Sequence, residues 1–249
     1  METIRHPFQG VWNIVRFNWQ FYVLSGGFLL VLALIAVYID PAFKIYFLIA
    51  GLLAALPIII SLLVSYYVYD LTGLYALNWI DVLNADKSSR IININAGFDE
   101  TSVLLQQKFP HAELEVLDFY DPAKHTEISI QRARKAYPPF VGTKQVQTEH
   151  LPIADNTADL VLVIFAAHEI RNEAERINFF KELKRIIKPA GKIIIAEHLR
   201  DIPNFIAFNI GFMHFYSRAV WERVFQAAGL ISSKEKKFTP FISLFTLTK

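Results

Sequence analysis

The chain has 249 residues and a net charge of +2, too close to neutral to argue for a nucleic-acid partner. It contains no cysteine, which excludes disulfides, thiolate metal ligands and a cysteine nucleophile. Hydrophobic residues make up 53% and the mean hydropathy is +0.32. That apolar excess lies mostly in the first 80 residues, and the roughly 170 that follow suffice for one α/β domain with a full core.

Two uncharged apolar runs come first, residues 21–39 and 45–69. A helix needs roughly 20 residues to cross about 30 Å of hydrocarbon, and each run is of that order. The first is too long for the core of a cleaved signal peptide and has no small-residue cleavage pattern after it. Burial of the second in a soluble core would require 25 consecutive uncharged residues in one helix. The short connection Asp40-Pro41-Ala42-Phe43-Lys44 suits a tight turn at a membrane surface and returns the chain to the side it started from. Arg5 and Arg16 precede the first run, and Lys87 and Arg90 follow the second, so the positive-inside rule makes that side cytoplasmic. The expectation is a two-pass anchor in the cell (inner) membrane over residues 1–80. Both termini, and a domain over residues 81–249, are then cytoplasmic. Trp12, Trp19, Tyr38, Tyr46, Tyr66 and Tyr69 flank the runs as an interfacial belt would. Gly26, Gly27, Gly51, Ala54 and Ala55 allow close helix approach, within the hairpin or in a homo-oligomer. Residues 70–79 read equally well as a short interfacial helix or as a linker.

From Ser88 onward strands and helices alternate. Strands are predicted over 90–95, 112–119, 142–149, 158–167 and 192–197. Helices are predicted over 99–109, 122–137, 172–188 and 217–228, with Ile177, Phe180, Leu183 and Ile187 on the buried face of the third. Residues 233–239 and 242–248 suit a terminal antiparallel pair. This order predicts a Rossmann-like, doubly wound, mainly parallel sheet. Ligands of such sheets bind at the carboxyl ends of the strands. The loop after the first strand, with Gly97 allowing close backbone approach, is then the centre of the site. Asp118, at the end of the second strand, is placed to accept the hydroxyls of a ribose.

The stretch LPIADNTADLVLVIFAAHEIRNEAERINFFKELKRIIKPAGKIIIAEH, residues 151–198, together with Asp118, resembles the class I S-adenosylmethionine-dependent methyltransferases. The likeness is to the branch that methylates quinone precursors and other lipids. S-adenosylmethionine is the cofactor so implied. By that resemblance Asn93, Asn95, Gly97 and Asp99 occupy the first cofactor motif, Asp118 the ribose position and Gln147 the adenine position. The motif departs from the family's acid-x-Gly-x-Gly-x-Gly. Asn93 replaces the acid, only the middle glycine remains, and Asp99 or Glu100 is left to supply the missing charge. Loss of the Gly-x-Gly-x-x-Gly spacing disfavours a nicotinamide or flavin.

The family places acceptor-side residues at the end of the fourth strand. There His168 is a candidate base, Glu169 could orient it or hold a cationic acceptor, and Arg171 could hold an anionic headgroup. His198, after the fifth strand, is a second candidate base. His125 and Tyr120 border the ribose end. No metal is expected: His168 and His198 do not form a ligand set, and neighbouring His168 and Glu169 side chains should diverge. The apolar segment 202–216 reads either as a core helix or as a lid passing an apolar substrate inward, with His214 and Tyr216 along that path. The function implied is methyl transfer to a lipid-like acceptor: a quinone, phenolic, polyene or phospholipid headgroup. A degenerate domain that binds a ligand or partner at the membrane is the alternative.

Overall fold

The computed structural model describes residues 5–80, 89–232 and 235–249. Lys87, the expected domain junction at 80/81 and the start of the strand expected at 233 fall at or outside those limits.

The chain opens with an amphipathic helix that the sequence reading did not anticipate, α1 (Gln9–Phe17). Two long helices follow, α2 (Trp19–Tyr38) and α3 (Pro41–Tyr66), packed against each other as a hairpin. Asp40 forms the turn by accepting a hydrogen bond from the Ala42 amide at 2.8 Å, with Pro41 in the first helical position, where its missing N–H costs nothing. Both helices are long and apolar enough to cross a membrane. Leu24, Phe28, Leu30, Leu52, Leu53 and Leu63 are exposed along them.

Residues 70–79 are neither an interfacial helix nor a linker. The chain passes through a π-turn (Tyr67–Leu71) and a 3-10 turn (Leu74–Ala76), and Val68, Leu74, Leu77 and Ile80 bury themselves against the sheet. Part of the segment assigned to the anchor therefore belongs to the core of the following domain.

The sheet runs in the order β3-β2-β1-β4-β5-β8-β6. Its strands are β1 (Arg90–Asn95), β2 (Glu113–Asp118), β3 (Lys144–Gln145), β4 (Ala158–Ile164), β5 (Ile187–Glu197), β6 (Ile231–Ser232), β7 (Lys236–Thr239) and β8 (Ile242–Thr248). β1 to β5 are parallel, while β8 returns antiparallel to β5 and pairs with β7. The central strands are buried on both faces, as their continuous Ile/Val/Leu runs require. One face is covered by α6 (Glu173–Ile186) and α8 (Arg218–Ala227), the other by α4 (Ser102–Lys108) and residues 77–80.

Some boundaries differ from expectation. The second predicted helix is shortened to α5 (Ile128–Ala136), because Asp121 folds residues 121–125 into a turn closed on its carbonyl by the amides of Lys124 and His125. α6 buries Phe179 and Ile186 beside Phe180 and Leu183, whereas Ile187 already belongs to β5. Pro189 to Gly191 do not interrupt that strand. They form a bulge between the Ala158–Ile187 and Leu160–Lys192 pairs. The segment after β5 forms α7 (Ile202–Phe208) and a 3-10 turn (Asn209–His214); α7 packs on α3.

Candidate active site

The carboxyl ends of β1 and β4 open into a cavity of about 270 Å³. The loop after β1 forms its floor. Asn95 accepts the Gly97 amide on its side-chain oxygen at 3.0 Å, and Gly97 takes φ +97°, a conformation that L side chains avoid. A Cβ there would meet the Tyr120 ring and the Arg134 guanidinium at 2.9 Å. Asn93 donates to the Thr101 and Ser102 hydroxyls at 3.0 and 2.8 Å, so it braces the loop. Asp99 caps α4 by accepting the Thr101 and Ser102 amides on one oxygen. Its other oxygen, and the amide nitrogen of Asn95, are buried without a protein partner.

Glu100 does not supply a free charge to this loop. One of its oxygens accepts from Arg5 at 3.0 Å, Asn13 at 3.1 Å and Gln9 at 3.4 Å, and the other from the Tyr75 hydroxyl at 2.7 Å. It is the buried anchor that seats α1 over the cavity. α1 contributes Asn13, Ile14 and Phe17 to the lining, facing Phe98, Phe165 and Phe215. Phe165 adopts φ +50°, a strained backbone that turns the chain sharply after β4.

A second hollow of about 540 Å³ lies beyond the end of β2. Tyr120, His125 and the exposed Gln147 line it, with the Tyr120 and His125 rings stacked at 5.5 Å. Asp118, only 2% exposed, stands beside this hollow. One oxygen accepts the Tyr120 amide at 2.8 Å and the other is paired at 2.5 Å with Arg134, whose guanidinium lies over the Tyr120 ring. One observation fits the cofactor as the side chains stand, the unpartnered Asn95 amide. The Gly97 backbone, covered by Tyr120 and Arg134, and the carboxylate of Asp118 fit once the partly exposed Arg134 side chain turns away.

His168 is buried at the wall of the first cavity. Its Nδ1 lies 2.7 Å from Glu197, which is fully buried, and its Nε2 lies 3.3 Å from Glu169. Burial alone would lower its pKa, but the charges and hydrogen bonds of Glu197 and Glu169 push it up to about 10. At neutral pH it is thus an imidazolium, a hydrogen-bond donor, and the role of base does not suit it. Burial opposes ionisation of Glu169, yet His168 and His214 hold its carboxyl well below the usual carboxylate range.

His198 has the opposite character. Burial pushes its pKa down to about 4 against the effect of the Phe241 carbonyl. Its Nδ1 donates to that carbonyl at 2.8 Å, which leaves Nε2 to accept from the Tyr69 hydroxyl at 2.8 Å. It couples the segment after the hairpin to the sheet, and both ring nitrogens are already engaged.

Arg171 donates to the His214 carbonyl at 2.7 Å and also contacts the His214 ring. Tyr216 turns away from the cavity. Its hydroxyl faces the carbonyls of Ile170 and Arg171, and the buried Arg176 lies 3.9 Å over its ring. Arg134, Tyr75 and α1 escaped the sequence reading, and Tyr69 entered it only as part of an interfacial belt. They reach the site by tertiary packing, and only the Glu197-His198 pair after a strand signalled itself.

Residues 97–195 match the family model described as a methyltransferase domain. The chain is 26% identical over 151 residues to the ubiquinone/menaquinone biosynthesis C-methyltransferase UbiE of Syntrophotalea carbinolica, covering 58% of this chain and 56% of that protein. It is 26% identical over 139 residues to the demethylmenaquinone methyltransferase of a Geobacillus species, covering 55% and 56%. The chain thus spans about half the length of these curated relatives. Among solved structures, it superposes on a SAM-dependent methyltransferase from Aquifex aeolicus with a TM-score of 0.51 and 15% identity, over 78% of this chain and 98% of that one. A SAM-dependent methyltransferase from Leishmania major gives 0.52 and 17%, over 76% and 77%. The sheet has the fold of the S-adenosylmethionine-dependent methyltransferases.

Proposed function

We propose that this protein is a membrane-anchored S-adenosylmethionine-dependent methyltransferase acting on a quinone-type acceptor. The observation that carries this reading is the cavity itself: the loop after β1 and the end of β4 share it with α1 and with Tyr69 and Tyr75, which directly follow the apolar hairpin. A lipid-like acceptor held by the bilayer then needs only a short path to the cofactor. Exposed Ile202, Phe205, Ile206 and Ile210 on α7 and the following turn extend the apolar surface of α3 toward that path. The quinone preference comes from the named activities of the relatives.

Asp118 would hold the ribose hydroxyls, Gln147 the adenine edge, and Asn95 the carboxylate of the cofactor's amino-acid end. When bound, the cofactor supplies a methyl group activated on a sulfonium. The chain's own contribution is positioning and electrostatics. Phe17, Phe98, Phe165 and Phe215 form an apolar slot for a flat ring and exclude water. The His168 imidazolium at the cavity wall, its Nε2–H directed at Glu169, places positive charge where negative charge would develop on a phenolic oxygen of the acceptor. Glu197 keeps that proton in place from the far side of the ring.

Arg134 on Asp118 favours a second reading, a degenerate domain that binds at the membrane without catalysis. Calorimetric titration of S-adenosylhomocysteine into the full-length protein in detergent separates the two. Binding that is lost in Asp118→Ala, followed by methylation of a demethylated isoprenoid quinol, supports the transferase. Absence of binding by folded protein supports the degenerate domain.

A further inference from the structure

We propose that His168, Glu169 and His214 form a binding site for one divalent transition-metal ion. The inference stands on these side chains alone and does not depend on methyl transfer. Nε2 of His168 lies 3.3 Å from Oε1 of Glu169, and Nε2 of His214 lies 3.3 Å from the same oxygen. A donor atom from each of the three residues falls within 4.8 Å of the other two. Two ligands bound at about 2.1 Å in a tetrahedral arrangement stand about 3.4 Å apart, so the two 3.3 Å separations to Glu169 match two edges of a coordination shell.

The surroundings have the form that metal-binding histidines require. Each ring has a carboxylate on its other nitrogen: Glu197 on Nδ1 of His168 at 2.7 Å, and Glu127 on Nδ1 of His214 at 3.0 Å. Such partners fix the tautomer and aim Nε2 at the ion. Two imidazoles and one carboxylate suit zinc, iron or cobalt better than magnesium or calcium. Three protein donors leave at least one position open, as in catalytic sites rather than structural ones. The site joins two distant segments, the 3-10 turn after β4 and the end of the 3-10 turn after α7. Neighbouring His168 and Glu169 converge because the turn abandons the alternation of a strand.

Arg171 is the local competitor. Its guanidinium contacts the His214 ring and donates to the His214 carbonyl, and its side chain is 43% exposed. An ion at Nε2 of His168 displaces the proton assigned there above, so positive charge at the cavity wall persists in either state.

The test uses full-length protein in detergent, stripped with chelator and titrated with Co2+, read by visible absorption, then with Zn2+, read by elemental analysis. The expected result is one ion per chain, with the d–d bands of a low-coordinate cobalt site that Zn2+ bleaches. Glu169→Gln and His214→Ala should each weaken Co2+ binding at least about 10-fold, and Glu197→Gln about 10-fold through loss of ring orientation. Arg171→Ala should bind as tightly or more tightly. A folded wild-type protein that shows no d–d bands overturns the proposal. Unchanged Co2+ affinity in both Glu169→Gln and His214→Ala does so as well.

Discussion

The pair between Arg134 and Asp118 yields a signed prediction about cofactor affinity. The Asp118 carboxylate is almost wholly buried, with a side chain 3% exposed, while that of Arg134 is 27% exposed at 2.5 Å. A ribose that takes both hydroxyls to Asp118 must first displace this guanidinium. The pair is partly open to water, so its rupture costs about 1 kcal/mol rather than the several of a fully buried pair. Arg134→Met removes that cost and should tighten S-adenosylhomocysteine binding several-fold, up to about tenfold, since 1.4 kcal/mol is a factor of ten. Asp118→Asn removes a charged acceptor from the hydroxyls and should weaken binding by about 10- to 100-fold, the range of a hydrogen bond to a charged group. In a double-mutant cycle, Arg134→Met should lose its benefit in the Asp118→Asn background, because the competition exists only through Asp118. Calorimetry on the four proteins measures every term. If Arg134→Met weakens binding in the wild-type background, Arg134 holds the cofactor instead of competing with it, and the reasoning fails.

Glu100→Gln leaves an acceptor for Tyr75 but strands the Arg5 guanidinium; with Glu100 8% exposed, about 3 kcal/mol of the docking of α1 should be lost. Hydrogen exchange should then speed up in α1 well before the sheet, and equal protection in both proteins would refute the anchoring role. His198 gives a pH prediction. Its folded-state pKa of about 4 lies below the ordinary 6.5, so the unfolded chain takes up the proton first as pH falls. Stability is full above pH 6.5 and declines toward pH 4, by about 3 kcal/mol for this residue. Denaturation across that interval should show a shallower loss in His198→Gln; an identical slope would show that other groups carry it.

Much of this architecture is legible in local patterns. RIININ marks β1 with both ends correct, because its three isoleucines are bounded by the polar Arg90 and Asn95. The apolar hairpin is visible because length without charge is a one-dimensional property. Asp118 and Gly97 could be placed because strand order in a doubly wound sheet fixes which loops meet at its carboxyl edge. Their partners could not be placed that way. Glu100, read as a spare charge for the loop, is taken by Arg5, Asn13 and Tyr75, from segments far away in sequence. His168 reads as a base from its type alone, yet the buried Glu197 and the adjoining Glu169 keep it protonated. His214 meets Glu169 only because α7 and the turn after it fold back over the end of β4. Periodicity and strand order are set by neighbours along the chain, so the sequence alone decides them. Protonation states, ion pairs and the convergence of side chains depend on distances through space, and those were decided by the packing of α1, α5 and α7 onto the edge of the sheet.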